Sequence, residues 1–484
     1  MSEKKSLKKN YIYNLSYQIL VIIAPIITTP YLSRVLNADG IGIVSFAESI
    51  VSYFMLFAAL GVGIYGQREI SYYQDNRLKR SEVFWNTFIL KAITSSIVLI
   101  MYLVLYKFLF KSNIYLVLSV NILAVLIDIT WFFQGLEEFG KIVLRNSIFK
   151  LLNIFYIFFF IRTKNDIVLY AFSIGFFTFI SNFSMWVQLK KYVDRPNFKN
   201  IHPFKDLAVI IMLFIPTIAI QVYTVLDKSM IGIITKNNFE NGYYELSVKI
   251  SKVLLTIITS LGVAIIPRVG LLFNKKETDN IKLLIYKSYR FVWFLGIPLC
   301  FGLIILSDNL VPWFLGASFD KVKTLLKILP LLIILIGMSN VTGMQYLIPT
   351  KKEKLFTLSV CIGAVVNFIL NLIMIKYFLS VGAAISSVIA EFFVTASQIY
   401  MIRNEISYKQ ILKEGVNYYI AGIVMILVLL YIKSSLNPSL YNSVIIIISG
   451  AISYFTVLTI LKDKFIFEDF CQVLTNIKNK LGSK

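Results

Sequence analysis

Charged side chains interrupt the long apolar runs of this sequence, and they are the first candidates for chemistry. Arg34, Lys228, Lys249 and Lys252 form one group, accompanied by Glu48 and Asp227; Lys91, Asp128, Lys150, Arg290 and Glu391 form a second. In the middle of a membrane-crossing helix each such residue costs roughly 2.5–3.5 kcal/mol on insertion scales, so it normally faces a wet cavity or a partner charge. Cations outnumber acids. Lys249 and Lys252 are spaced i,i+3, which puts both ammonium groups on one helix face and suits a groove that receives an anionic head group. The long side chains of Lys91, Lys150 and Arg290 can instead snorkel to an interface or lie in a loop. Glu48, Asp128 and Glu391 are too short for that, and are expected to face a cavity or an internal ion pair.

Other chemistries are poorly supplied. The string from Gly135 to Lys141 has G-x-x-x-x-G-K spacing, but Ile142 stands where a magnesium-binding hydroxyl belongs, Glu137 and Glu138 would repel phosphates, and an apolar helix precedes it in place of a strand. It is not a nucleotide loop. His202 is the single histidine, and Cys300, Cys361 and Cys471 show no C-x-x-C spacing, so neither a histidine-based site nor a disulfide framework is expected, and the cysteines are expected to serve packing. No cofactor and no metal are expected.

The elements that must position the charges follow from composition. Of 484 residues, 57% are hydrophobic and 15% charged, and mean hydropathy is +0.75, which a solvated surface could not carry. Runs near 20 residues without period-2 alternation are helices, because lipid offers the backbone no partners and a barrel would alternate. The expectation is an all-α polytopic membrane protein of about fourteen spans, at 11–33, 41–65, 84–108, 114–134, 143–161, 167–189, 207–233, 244–266, 288–306, 325–348, 355–376, 380–402, 416–432 and 442–461. Lys4, Lys5, Lys8 and Lys9 ahead of an apolar run imitate a secretory signal, but without a small-x-small cleavage site the run is expected to be retained as the first helix. Placing both termini in the cytoplasm puts most of the 48 Lys and Arg into the tails and cytoplasmic loops. The net charge of +22 is therefore topological, and no nucleic-acid partner is expected. No connection is long enough for a folded soluble domain.

Short matches six spans apart suggest duplication. The segment 32–35 (LSRV) has a counterpart in 226–229 (LDKS), with a cation in the same place; Leu60-Gly61-Val62 matches Leu261-Gly262-Val263; Gln134 lines up with Gln345. An even-numbered repeat keeps its orientation, so the halves should be parallel repeats with a cleft between them. Pro25, Pro216, Pro298 and Pro330 lie inside spans and permit kinks. Trp131, Phe132 and Phe133, at the end of a span, are expected to form part of an interfacial aromatic belt, with substrate contact as the other reading.

The stretches 29–50 (TPYLSRVLNADGIGIVSFAESI) and 128–139 (DITWFFQGLEEF) resemble the Wzx-type polysaccharide repeat-unit flippases of the multidrug/oligosaccharidyl-lipid/polysaccharide (MOP) superfamily. The likeness extends through 226–228 (LDK), 242–249 (GYYELSVK) and Pro267-Arg268; where many members have Gly after the first span, this chain reads Asn37-Ala38-Asp39. The resemblance implies two six-helix lobes around a central cavity, 1–200 and 201–405, with two further helices and a tail at 406–484 packed outside. It also implies a bacterial inner-membrane location and a substrate, a polyprenyl-pyrophosphate-linked oligosaccharide moved to the outer leaflet for capsule, exopolysaccharide or O-antigen assembly, alongside membrane lipids and other assembly proteins as partners.

On that basis Arg34, Lys228, Lys249 and Lys252 would hold the pyrophosphate. Glu48, Asp128 and Glu391 would keep the empty cavity's cations in place or bind a coupling H⁺ or Na⁺, and Gln134 completes the substrate-binding set. Two other classes compete. A membrane glycan polymerase or ligase would need a sizeable catalytic outer loop, which the sequence lacks; a multidrug exporter of the same superfamily would favour acids in its cavity.

Overall fold

The computed structural model describes residues 7–109, 112–196, 201–260, 262–463 and 465. Among them every long regular element is a helix. The chain runs through α1 (Leu7–Ala59), α2 (Val62–Tyr72), α3 (Arg77–Leu109), α4 (Asn113–Ile127), α5 (Thr130–Gly135), α6 (Phe139–Phe160), α7 (Ile167–Leu189), α8 (Leu207–Thr235) and α9 (Asn238–Thr259). It continues through α10 (Gly262–Asn274), α11 (Thr278–Phe314), α12 (Asp320–Leu325), α13 (Leu331–Asn340), a π-helical turn at Val341–Leu347, α14 (Glu353–Met401), α15 (Tyr408–Lys413), α16 (Val416–Lys433) and α17 (Leu440–Ile460).

Nine helical segments among the described residues are long and apolar enough to cross a membrane. Two, Tyr17–Tyr72 and Glu353–Met401, are 56 and 49 residues long, too long for one crossing of about 30 Å at 1.5 Å per residue. Both bend where the sequence leads one to expect separate spans. Asn37 (φ 56°, ψ 179°) breaks α1 and Leu379 (φ 56°, ψ −134°) breaks α14, each in backbone territory that favours glycine. Outward faces are apolar: Ile97, Ile100, Leu144, Val187 and Met212 are all exposed, as lipid-facing residues should be.

Glycine fits Asn37's dihedrals without the strain of a Cβ, which costs about 1–3 kcal/mol, and loses part of that gain to its own unfolded-state entropy. Asn37→Gly is therefore expected to raise the apparent melting temperature by about 1–3 °C in detergent, followed by scanning fluorimetry. A fall would show that the Asn37 side chain holds the bend.

By compactness the chain divides into 1–245 and 246–484. In the first unit α1 is central, packed by α3, α4, α6 and α8, while α4 lies along α7. In the second, α11 carries α13, α16 and α17, with Tyr289, Trp293, Tyr418 and Tyr454 in its core. Tyr418 Oη and Asn417 Nδ2 donate to Asp463, at 3.0 and 3.1 Å, and tie the end of α17 back to the start of α16.

The duplicated motifs coincide with a repeated piece of architecture. After Gly61 (φ 69°) the short α2 lies on the short α5; after residue 261, α10 lies on the π-turn Val341–Leu347. Gln134 and Gln345 sit in the two supporting segments.

Three expectations are corrected. Trp131, Phe132 and Phe133 are buried within the protein, Trp131 stacked on Phe84 and Phe133 edge-on to Tyr192, and not on a lipid interface; Gly66 makes room for this, since a Cβ there would lie 2.4 Å from the Trp131 ring. Pro330 sits at the start of α13, so the run 325–348 breaks there. Lys91 is buried rather than snorkelling, and Arg290 lies on α11 in an ion pair with Glu414 at 2.5 Å instead of in a loop. Pro25 and Pro298 are inside helices as expected. Cys300 is buried and Cys361 exposed. Cys471, Leu261, the side chains of Lys8, Lys9 and Pro216, and residues 1–6 lie outside the description.

Candidate functional site

The polar centre of the first unit is built on the α8–α9 hairpin. Lys236 (φ 50°) closes α8 and lets the chain reverse at once into α9. Lys228 and Glu245 stand at matching distances on either side of this turn and form an ion pair, and Tyr244 Oη donates to Asp227 on the same two turns. Glu245 is buried and also accepts a hydrogen bond from Ser45 of α1 at 3.2 Å. Tyr53 and Ser229 are joined at 2.8 Å. The bent second half of α1 is thereby laced along α8 and α9.

Beside this lacing lies a cavity of about 280 Å³ in which Glu48, Ser49, Ser52 and Asn121 face Lys228. An acid and a cation thus line one cavity between α1, α4, α7 and α8. Room for a few waters is enough to solvate both, so the insertion cost that singled these residues out is met locally. Arg34, the repeat counterpart of Lys228, lies one turn before the Asn37 bend and is exposed. Lys249 and Lys252 follow Glu245 along α9 at i+4 and i+7, on one face of that helix, the first half-buried and the second exposed.

A second centre forms where the expected span 114–134 breaks. Asp128 leaves α4, and its Oδ1 accepts the Thr130 amide at 2.9 Å, starting α5. Its own carbonyl receives the Lys91 ammonium at 2.6 Å. Arg145 reaches Thr130 Oγ1 at 3.3 Å and Asn146 Oδ1 at 2.6 Å. The Asp128 carboxylate is the acid whose field both cations share. Lys91 and Arg145 are both buried without a carboxylate in ion-pair contact among the described residues, and Arg145 Nη1 has no hydrogen-bond partner among them.

Gln134 sits on α5, half-buried. Glu391 belongs to the second unit, buried on α14, where Ser339 Oγ donates to it at 2.6 Å. The sequence candidates therefore fall into separate neighbourhoods: Glu48 with Lys228, Asp128 with Lys91, and Glu391 with Ser339. Glu245 and Arg145 were missed as site residues. For Glu245 the signal was present, an acid at i,i−4 from Lys249. Arg145 stands two residues inside an expected span end and reads as an interface residue until α5 is folded over it. Lys141 of the G-x-x-x-x-G-K string is engaged by Glu138 at 3.5 Å and by Tyr192, at the start of a helix that follows a helix.

The model of the family described as polysaccharide biosynthesis protein matches residues 7–273, over half of the chain. The chain belongs to this family. Among relatives, a putative O-antigen transporter of Escherichia coli (strain K12) is 24% identical over 410 residues, which cover 83% of this chain and 98% of the relative. Among solved structures, the lipid II flippase MurJ in an inward closed conformation superposes with a TM-score of 0.75 at 15% identity, over 94% of this chain and 99% of that one. An inward-facing multidrug resistance MATE family transporter of the MOP superfamily follows at 0.60 and 14% identity, over 80% and 98%. This polysaccharide biosynthesis family member thus shares the all-helical fold of MurJ and of the MATE transporter, as the sequence resemblance implied.

Proposed function

We propose that this protein is a flippase that carries polyprenyl-pyrophosphate-linked oligosaccharide repeat units from the cytoplasmic to the outer leaflet of the bacterial inner membrane, for surface polysaccharide assembly. The observation that carries the reading is the set of cations on α8 and α9 within a family of polysaccharide biosynthesis proteins: Lys228 at a cavity that Glu48 also lines, and Lys249 and Lys252 on one helix face. A pyrophosphate must cross about 30 Å of hydrocarbon while its polyprenyl tail stays in lipid, so it needs a hydrated cationic path and no catalytic group. Arg34, Lys228, Lys249 and Lys252 are assigned to the pyrophosphate, Gln134 to the head group, and Glu48, Asp128 and Glu391 to holding the cations apart or to a coupling H⁺ or Na⁺. Alternating access would come from rocking of lobe 1–200 against lobe 201–405, with 406–484 outside and both termini cytoplasmic.

The test is reconstitution in liposomes with a fluorescent polyprenyl-pyrophosphate oligosaccharide, scoring protection of the head group from an external quencher. Wild type should translocate the probe, and Lys249→Ala should reduce the rate at least tenfold with folded protein retained. A wild type that fails with and without an ion gradient would instead favour drug export; an unaffected Lys249→Ala would remove that residue from the site.

A further inference from the structure

A groove of about 520 Å³ at the ends of α3 and α7 has no part in the mechanism above. Arg77, Trp85, Trp186, Lys190, Asp194 and Arg195 line it. Arg77 Nε donates to Asp194 at 2.9 Å, which neutralises that cation. Lys190 and Arg195 are exposed and have no carboxylate partner among the described residues, so the groove keeps two positive charges. The tryptophans are fixed. Trp85 Nε1 donates to the Asp194 carbonyl at 2.9 Å and Trp186 Nε1 to the Ile127 carbonyl at 2.8 Å, and their rings pack edge-on against Phe84 and Phe88. With both indole N–H groups used, the half-exposed rings have only apolar faces to offer a ligand.

We infer that this groove is a loading site, where the head group of the lipid-linked oligosaccharide first docks on the cytoplasmic face before it enters the transport path. The inference rests on the flippase reading and its topology, which put the ends of α3 and α7 in the cytoplasm. Basic pockets between helices at that interface hold lipid phosphates, and a residual charge of two matches a diphosphate rather than a phosphodiester. Rigid indole faces stack on the C–H faces of pyranose rings, so the same groove reads the first sugars beside the diphosphate.

The experiment uses the full chain in phosphatidylcholine nanodiscs with a photoreactive polyprenyl-pyrophosphate disaccharide, adducts being mapped by mass spectrometry. Wild type should give adducts within 77–85 and 186–196. Lys190→Gln with Arg195→Gln, both exposed positions, should weaken labelling there by roughly 25-fold, about fivefold per interfacial cation, and Trp85→Leu should weaken it for the disaccharide more than for a sugar-free pyrophosphate lipid. Unchanged labelling in the double variant overturns the inference, as does full displacement of the probe by phosphatidylglycerol at equal phosphate, which would mark a general anionic-lipid site. The two readings separate cleanly: a double variant that labels and translocates like wild type sinks the loading site alone, and a wild type that labels in the groove but never translocates sinks the flippase alone.

Discussion

Gly242→Ala is expected to abolish polysaccharide export in a complementation assay while the protein still accumulates in the membrane. The reason is steric. A Cβ at Gly242 would sit 1.9 Å from the Ala38 carbonyl oxygen, and a Cβ at Gly42 would sit 1.8 Å from that of Asn238. Each glycine thus admits the other helix's backbone, and α1 meets the start of α9 with no side chain between them. Only backbone displacement can relieve such an overlap, at a typical cost of about 1–3 kcal/mol. Alanine's better helix propensity, by up to about 1 kcal/mol, offsets part of this cost, so abundance should survive. Function should not, because the crossing joins residues on either side of the proposed lobe division at 200/201, and a transporter that cannot close one face cannot alternate. Gly42→Ala should give the same loss, and the double variant should add little, since both remove one contact. Wild-type export from either single variant would show that this approach is not part of the cycle.

That crossing also shows where the sequence is legible. Apolar run length alone gave the helices, because lipid leaves the backbone no other choice, and the two bends at Asn37 and Leu379 fall between spans read as separate. Charges within runs pointed to Glu48, Lys228 and Asp128, since each had to be compensated by something. What compensates them lay out of reach. Trp131 at a span end looks identical whether it faces lipid or protein, and the residue that decides, Gly66, belongs to another helix. Lys91 has the length to snorkel, and only the break in α4 gives its ammonium a carbonyl to bind instead. Gly42 and Gly242 read as ordinary glycines until their helices are brought together.

The break at Asp128 carries the largest expected stability effect. Asp128→Ala removes the acid shared by Lys91 and Arg145, and it removes the acceptor that starts α5 at Thr130. Asp128 acts on the two buried cations through its field and not by contact, a loss of about 1–3 kcal/mol, and loss of its bond to the first α5 amide adds about 1 kcal/mol. Little folded protein should be recovered, as measured by fluorescence-detected size exclusion. Lys91→Met alone should be mild by comparison: it leaves Arg145 as the one of the two buried cations in the field of Asp128, and a Met side chain fills the space of the lysine stem, at the expense of the bond to the Asp128 carbonyl. The informative variant is the double. If the shared carboxylate matters through charge, Lys91→Met should restore part of the Asp128→Ala loss, with a coupling of at least about 1 kcal/mol. Strict additivity would mean that Asp128 acts through its bond to the Thr130 amide alone, and that the two buried cations find their counter-charge elsewhere.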